Sequence, residues 1–180
     1  MTVKETNLKG CYIIEPKIFN DQRGYFFESY NKANFEKEIG LNPDFIQDNE
    51  AYSTKGALRG LHFQKGEYAQ AKLVRVTQGK VLDVVVDLRP DSSTFKEYIS
   101  IELSAENKKQ LFVPRGFAHG YIVLSNTAVF NYKCDNVYHK PSEGGIIYND
   151  TTLNINWILD EETFIISDKD KILPSINDLF

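Results

Sequence analysis

Short apolar runs separated by polar turns recur along most of the chain, and their lengths predict strands rather than helices. We expect strands at residues 11–14, 25–30, 45–50, 71–76, 80–88, 98–103, 110–113, 118–124 and 128–135. Val84-Val85-Val86 is continuous rather than alternating, so the strand that contains it should be covered on both faces. Thr77-Gln78-Gly79 is typical of a hairpin turn and predicts that the two strands flanking it pair with each other.

One helix interrupts this pattern. Phe35 and Ile39 lie four residues apart, with Asn31 or Asn34 available as the N-cap and Gly40 as the terminator. Strands about ten residues apart, with little helix between them, are typical of a β-sandwich or barrel. We therefore expect an all-β fold with a few short helices, and a single domain over residues 1–180.

Composition excludes several classes of partner. The formal charge of −4 argues against binding to nucleic acid or to an anionic membrane, so a small anionic ligand would need counter-charges gathered locally. No apolar run approaches the ~20 residues of a membrane helix, and no secretory signal pattern is present. Cys11 and Cys134 match no zinc spacing. A cytoplasmic location is the expectation.

The stretch Gly56–Gln64 places Arg59 and His62 in an apolar, glycine-flanked segment. A buried guanidinium is costly without an anion, so Arg59 predicts a carboxylate or phosphate partner. Imidazole titrates near neutral pH, so His62 is a candidate for proton transfer. The alternative is a core histidine beside a buried salt bridge.

Further chemistry-bearing residues accompany the strands. They are Arg23, Glu28, Gln47, Asp48, Asn49, Lys72, His119, Tyr132, Tyr138 and Glu143. Each has a structural alternative: Arg23 and Glu28 could form a surface ion pair, and Lys72 could face solvent by strand alternation. Together they place cationic and amide groups beside apolar strands, which predicts a ligand cavity.

Pro114-x-Gly116-x-x-His119 resembles half of a cupin metal signature, and the double-stranded β-helix (cupin or jelly roll) fits the strand spacing. The other half normally supplies two histidines and a glutamate, where this chain has only His62. Two ligands in place of four predict a cupin without its metal. A metal-dependent oxygenase using His62 and His119 is the alternative.

Several motifs, in order, are similar to one family. They are Asp21-x-Arg23-Gly24-x-Phe26-x-Glu28, Gln47-Asp48-Asn49, Leu58–Gln64, Lys72–Val76, Asp87-Leu88-Arg89, Pro114–Gly120, Trp157 and Ser167-x-Lys169-Asp170. From about Gly10 to Leu173 the chain resembles the dTDP-4-dehydrorhamnose 3,5-epimerase family. The resemblance implies a metal-free, cofactor-free homodimer. It also implies inversion of C3 and C5 of dTDP-4-dehydro-6-deoxy-D-glucose in dTDP-L-rhamnose synthesis.

The resemblance also implies roles for individual residues. His62 would be the base, paired with Asp170, while Tyr132 would be the acid across the ring and Lys72 would lie near the ketone oxygen. Phosphate or nearby oxygens would be contacted by Arg23, Arg59 and Lys169. Other ligand contacts would come from Glu28, Gln47, Asp48, Asn49, His119 and Glu143, and Tyr138 would stack on thymine. A 3-epimerase, a keto-sugar isomerase and a non-catalytic sugar-nucleotide binder remain open.

Overall fold

The structure, a computed structural model, describes residues 1–180. The strands are β1 (Thr2–Glu5), β2 (Tyr12–Glu15), β3 (Phe19–Asp21), β4 (Gly24–Phe26), β5 (Gln47–Thr54), β6 (Ala57–Gln64), β7 (Lys72–Gln78), β8 (Lys80–Asp87), β9 (Tyr98–Ser104), β10 (Gln110–Val113), β11 (Phe117–Val123), β12 (Thr127–Cys134), β13 (Glu143–Gly145) and β14 (Ile165–Ile166). The α-helices are α1 (Lys32–Ile39) and α2 (Ile176–Leu179). Neither helix is long and apolar enough to cross a bilayer.

Two antiparallel sheets face each other. The first has the order β1-β2-β10-β7-β12-β5 and the second the order β13-β6-β11-β8-β9, with β14 parallel to the start of β6. From β5 to β8 the chain changes sheet at every connection, and it does so again from β9 to β12. This winding is that of a double-stranded β-helix, so the expected all-β jelly-roll class is confirmed.

The predicted pairing of the strands around residues 77–79 is wrong. The chain does turn at Gly79, whose φ is +72°, but β7 pairs with β10 and β12 while β8 pairs with β9 and β11. The turn residues specify a reversal, not whether the two strands share hydrogen bonds. A Cβ at position 79 would lie 2.0 Å from the Thr127 carbonyl oxygen, so this crossing between sheets requires glycine.

The N-terminal segment differs partly from expectation. The aromatic strand predicted at 25–30 ends at Phe26, and β4 pairs only with β3. Beyond it, the Glu28 carboxylate accepts hydrogen bonds from the side chains of Asn31 and Asn34, which ties this segment to the start of α1. The predicted helix is confirmed, with Asn31 as its N-cap and Gly40 as its C-cap.

Hydrophobic cores lie on both faces of β8. Val85 packs between the sheets with Phe117, whereas Val84 and Val86 pack on the outer face of the second sheet. All three valines have no exposed surface, so the predicted coverage on both faces is confirmed. The C-terminal segment supplies the outer layer through Trp157, because the sheet face beneath it is apolar.

A buried carboxylate lies at the C-terminal end of β8. Asp87 has no exposed surface and accepts hydrogen bonds from Arg89, Ser92 and Thr94 at 2.6–2.8 Å. Burial favours the neutral acid, but these bonds outweigh it and lower the pKa of Asp87 to about 2. The pKa of an aspartate in the unfolded chain is about 3.9, so the ionised Asp87 stabilises the fold fully above roughly pH 4.

We expect Asp87→Asn to remove a pH-dependent contribution of about 2 kcal/mol to the free energy of unfolding. Because the folded pKa of Asp87 is about 2, the contribution is lost as the pH falls through that value. Denaturant unfolding at pH 6, 4, 3 and 2 should show the difference in free energy of unfolding between wild type and variant becoming smaller as the pH falls. Asp91→Asn, at an exposed carboxylate on the following turn, is the control. A constant gap for Asp87→Asn would contradict the assignment.

Candidate active site

A cavity of about 520 Å³ lies between the two sheets. Its polar lining residues are Arg59, His62, Lys72, His119, Tyr121, Tyr132, Ser167, Lys169 and Asp170. The volume is that of a typical small-molecule site. The cavity therefore gathers the cationic groups that the sequence had suggested would be concentrated locally.

A bulge in β6 puts Arg59 and His62 on the same wall. Residues three apart in a regular strand point to opposite faces. Here His62 is paired with His119 while Arg59 is paired with Tyr121, so β6 has one more residue than β11 between the two pairs. The extra residue restores both side chains to the cavity side.

Glycines make this bulge possible. Gly60 has φ +118°, and a Cβ there would lie 2.6 Å from the Cα of Gly120 on β11. Two backbones can approach this closely only without side chains between them. Leu58 and Leu61, the apolar residues of the stretch, pack into the outer core.

Arg59 is exposed rather than buried, and it has no carboxylate partner within the chain, so of the two expected partners only a phosphate from a ligand stays a prediction. Its apolar neighbours point to the opposite side of the sheet. The Arg59 Nε donates to Ser53 Oγ at 3.1 Å, and no carboxylate lies within salt-bridge distance of the guanidinium. Its remaining N–H groups are therefore available to a ligand.

His62 forms a pair with Asp170. The His62 Nε2 lies 2.7 Å from Asp170 Oδ1, and Asp170 Oδ2 accepts the backbone N–H of Gly60 at 3.3 Å. Burial favours the neutral carboxyl, but the bond with His62 lowers the pKa of Asp170, so the carboxylate is ionised. With Nε2 engaged, Nδ1 of His62 is left to exchange a proton with a ligand.

The facing wall carries Tyr132 on β12 and Lys72 on β7. The Lys72 Nζ lies 5.9 Å from the centre of the Tyr132 ring. Burial raises the pKa of Tyr132 and lowers the pKa of Lys72. The phenol is thus held in its protonated form, opposite the imidazole of His62. Lys72 faces the cavity rather than solvent.

A second histidine–carboxylate pair was missed from the sequence. The His119 Nε2 lies 2.9 and 3.0 Å from the two carboxylate oxygens of Asp83, which has no exposed surface. Burial raises the pKa of Asp83, and His119 and Lys72 oppose this. The available signal was a lone acid within the apolar run Val81–Val86, because a buried carboxyl requires a partner.

A smaller cavity of about 190 Å³ adjoins the first and shares His62, Lys72 and Tyr132 with it. It brings in four more of the predicted ligand contacts: Gln47, Asn49, Tyr138 and Glu143. Glu143 accepts hydrogen bonds from Lys169 Nζ at 2.5 Å and from Tyr138 Oη at 3.0 Å. The two cavities form one elongated site.

Three predicted ligand contacts lie elsewhere. Asp48 alternates with its neighbours on β5 and faces the outer side of the sheet, where it pairs with Lys133 at 2.6 Å. Arg23 pairs with Asp21 on the exposed β3–β4 hairpin. Glu28 is held by the start of α1. Within one chain, none of the three reaches either cavity.

The arrangement is suited to moving protons. No group of three or more His, Cys, Asp or Glu side chains has the geometry to hold a metal ion. Instead, each cavity histidine has a carboxylate on Nε2, and a phenol and an ammonium group occupy the opposite wall. Fold and site together define a jelly-roll protein whose cavity carries side chains able to accept and donate protons.

Comparison with known proteins identifies the family within this class. The family model for dTDP-4-dehydrorhamnose 3,5-epimerase matches residues 5–178. The chain is 48% identical over 179 residues to that enzyme from Escherichia coli strain K12, covering 99% of this chain and 96% of that protein. The chain therefore belongs to the dTDP-4-dehydrorhamnose 3,5-epimerase family.

Solved structures agree. The crystal structure of dTDP-4-dehydrorhamnose 3,5-epimerase from Elizabethkingia anophelis NUHP1 has a TM-score of 0.96 at 56% identity, covering 99% of this chain and 97% of that one. The dTDP-6-deoxy-D-glucose-3,5-epimerase of Legionella pneumophila, in complex with dTDP-4-keto-L-rhamnose, has a TM-score of 0.93 at 45% identity, with 98% and 93% coverage. The expected family and enzyme class, a carbohydrate epimerase, are confirmed.

Proposed function

We propose that this protein inverts C3 and C5 of dTDP-4-dehydro-6-deoxy-D-glucose, giving dTDP-4-dehydro-6-deoxy-L-mannose for dTDP-L-rhamnose synthesis. The observation that carries the proposal is the placement of a base and an acid on opposite walls. His62 lies on the second sheet and Tyr132 on the first, and both line the same cavity. Inversion requires protons to leave one face of the sugar and arrive at the other.

The chemistry uses the C4 ketone twice. C3 and C5 both flank it, so loss of either hydrogen as a proton gives an enolate. His62 takes the proton at Nδ1, and Asp170 stabilises the resulting imidazolium through Nε2. Tyr132 delivers its phenolic proton to the opposite face of the same carbon. Before the second carbon reacts, His62 loses its extra proton to solvent and Tyr132 regains a proton from solvent.

Lys72 is suited to the charge that develops on the C4 oxygen. It lies beside Tyr132 and lines both cavities. A point cation stabilises an enolate oxygen without fixed directionality. One lysine therefore serves both half-reactions, because the enolates at C3 and C5 share that oxygen.

Lys72→Met should lower solvent exchange at C3 and at C5 by the same factor, about 10²–10³-fold. The equality follows from the shared C4 oxygen. Deuterium uptake at each carbon, followed by NMR, measures it. Lys80→Met, which removes a lysine paired with Glu102 outside the cavity, is the matched control and should leave both rates unchanged. A loss confined to one carbon would rule out the shared role.

The remaining parts of the elongated site suit a nucleotide. Arg59 and Lys169 supply cations for a diphosphate, and Tyr138 lies with Gln47 and Asn49 at the adjoining cavity, where a base would bind. We also infer the homodimer that the resemblance implies and the cytoplasmic location expected from the sequence pattern. Phe19, Tyr25 and Phe26 of the β3–β4 hairpin are more than half exposed and would gain from burial in a dimer. Sedimentation distinguishes one chain from two.

The proposal is tested by incubating the protein with dTDP-4-dehydro-6-deoxyglucose in heavy water. Deuterium at both C3 and C5, with L-configured product, supports it. Exchange at C3 alone indicates a 3-epimerase, and movement of the carbonyl indicates a keto-sugar isomerase. Absence of exchange with intact nucleotide binding indicates a non-catalytic binder. Repeating the reaction with the uridine analogue compares the two bases.

A further inference from the structure

The Tyr121 hydroxyl is the only buried side-chain polar atom in the chain without a hydrogen-bond partner. Tyr121 is 5% exposed and lines the larger cavity. A buried hydroxyl left unpaired costs free energy, and folded proteins rarely retain one without a use for it. Phenylalanine would fill the same space without that cost. The hydroxyl is therefore unexplained by the fold.

Its position is fixed. The Tyr121 ring stacks on Phe130, with centroids 4.1 Å apart and planes 15° from parallel, which restrains the ring and with it the hydroxyl oxygen. Arg59 is its direct partner on the neighbouring strand. Burial raises the pKa of Tyr121 while nearby Ser53 and Arg59 lower it, although neither reaches hydrogen-bonding geometry with the hydroxyl.

Two donors thus lie side by side on the cavity wall formed by β6 and β11. Ser53 holds Nε of Arg59, which leaves the terminal guanidinium N–H groups and the Tyr121 O–H without protein acceptors. A paired phenol and guanidinium suit a negatively charged oxygen, because both donate and the cation supplies charge. A neutral or cationic ligand group would leave these donors poorly matched.

We propose that Tyr121 is a further ligand-binding residue, whose hydroxyl donates a hydrogen bond to an anionic oxygen that Arg59 also contacts. The inference rests on the proposed function for the identity of that oxygen. It is either a diphosphate oxygen, present throughout binding, or the enolate oxygen, which is charged only during reaction. Both oxygens are negatively charged hydrogen-bond acceptors. A contact with the diphosphate oxygen would affect ligand binding, and a contact with the enolate oxygen would affect turnover.

The test is Tyr121→Phe, measured by thermal unfolding, by calorimetric binding of dTDP, inorganic pyrophosphate and thymidine, and by steady-state exchange in heavy water. We expect the melting temperature to stay the same or rise, since no protein partner is lost. A diphosphate contact weakens dTDP and pyrophosphate binding roughly 10- to 100-fold and leaves thymidine unaffected. An enolate contact leaves all three dissociation constants unchanged and lowers kcat by a similar factor without raising KM.

Tyr148→Phe is the matched control with the opposite expectation. The Tyr148 hydroxyl donates to Glu161 at 2.7 Å outside this cavity, so its loss should lower stability slightly and change neither binding nor kcat. The inference is overturned if Tyr121→Phe changes neither binding nor turnover, if it lowers the melting temperature, or if it weakens thymidine as much as dTDP. If the wild type shows no epimerase activity but Tyr121→Phe still weakens dTDP binding, only the proposed function is overturned. If the wild type binds neither dTDP nor pyrophosphate, both the proposed function and this inference are overturned.

Discussion

His62→Ala should lower solvent exchange at C3 and C5 by about 10⁴-fold, the upper range for removing a general base. The other cavity histidine, His119, is almost fully buried with its Nε2 on Asp83, whereas the His62 side chain is 30% exposed. Because the proposal gives His62 the proton at both carbons, both should lose exchange together. The measurement is deuterium uptake at each carbon by NMR. Exchange at the wild-type rate in this variant would eliminate His62 as the base.

Folding must be kept separate from chemistry in that experiment. His62→Ala leaves the Asp170 carboxylate buried with only the Gly60 N–H as donor, which costs stability. His62→Asn keeps an N–H donor beside Asp170 but cannot serve as the base, so it should fold well and be equally inactive. His139→Ala is the matched control, because the His139 ring stacks on Tyr68 and lines neither cavity. It should exchange normally.

Tyr132→Phe should separate exchange from inversion. With His62 intact, protons still leave and return on the same face, so deuterium uptake should stay within about tenfold of wild type. Delivery to the opposite face should fall by about 10²–10⁴-fold, because the phenolic proton is missing. The product is then labelled starting material rather than the epimer.

The variant is close to isosteric, since only the hydroxyl is removed and the ring stays beside Phe130. NMR of the sugar couplings reports configuration, and mass spectrometry reports label, from the same sample. Tyr98→Phe, at a tyrosine outside the cavity, is the control. Unchanged inversion would remove Tyr132 from the acid role, and equal loss of exchange and inversion would assign it to binding instead.

The sequence predicted local structure better than long-range pairing. The helix with its Asn31 and Gly40 caps depends on residues a few positions apart, and the two-sided burial of Val84–Val86 is signalled by three adjacent apolar residues. Strand partners depend on segments far along the chain. Residues 77–79 specify a reversal equally well in a hairpin and in a crossing between sheets, and only the strands flanking β7 and β8 decide between them.

The site shows a similar limit. Strand alternation alone could not distinguish Lys72 from a solvent-facing lysine. Its role near the ketone oxygen came from the resemblance, and its proximity to Tyr132 only from the structure. Asp83 carried a signal, an acid in an apolar strand, that was not used. Tyr121 carried none, because an unpaired hydroxyl can be recognised only when its surroundings are known.

The bulge at Gly60 makes the reaction depend on a residue that carries no side chain. A Cβ at position 60 would lie 2.6 Å from the Cα of Gly120, so the bulge could not form as it stands. In a regular β6 still paired through Arg59, His62 would face the apolar outer layer that contains Trp157, because residues three apart point to opposite faces. A single-base change in one glycine codon would thus silence the enzyme without touching any reacting group.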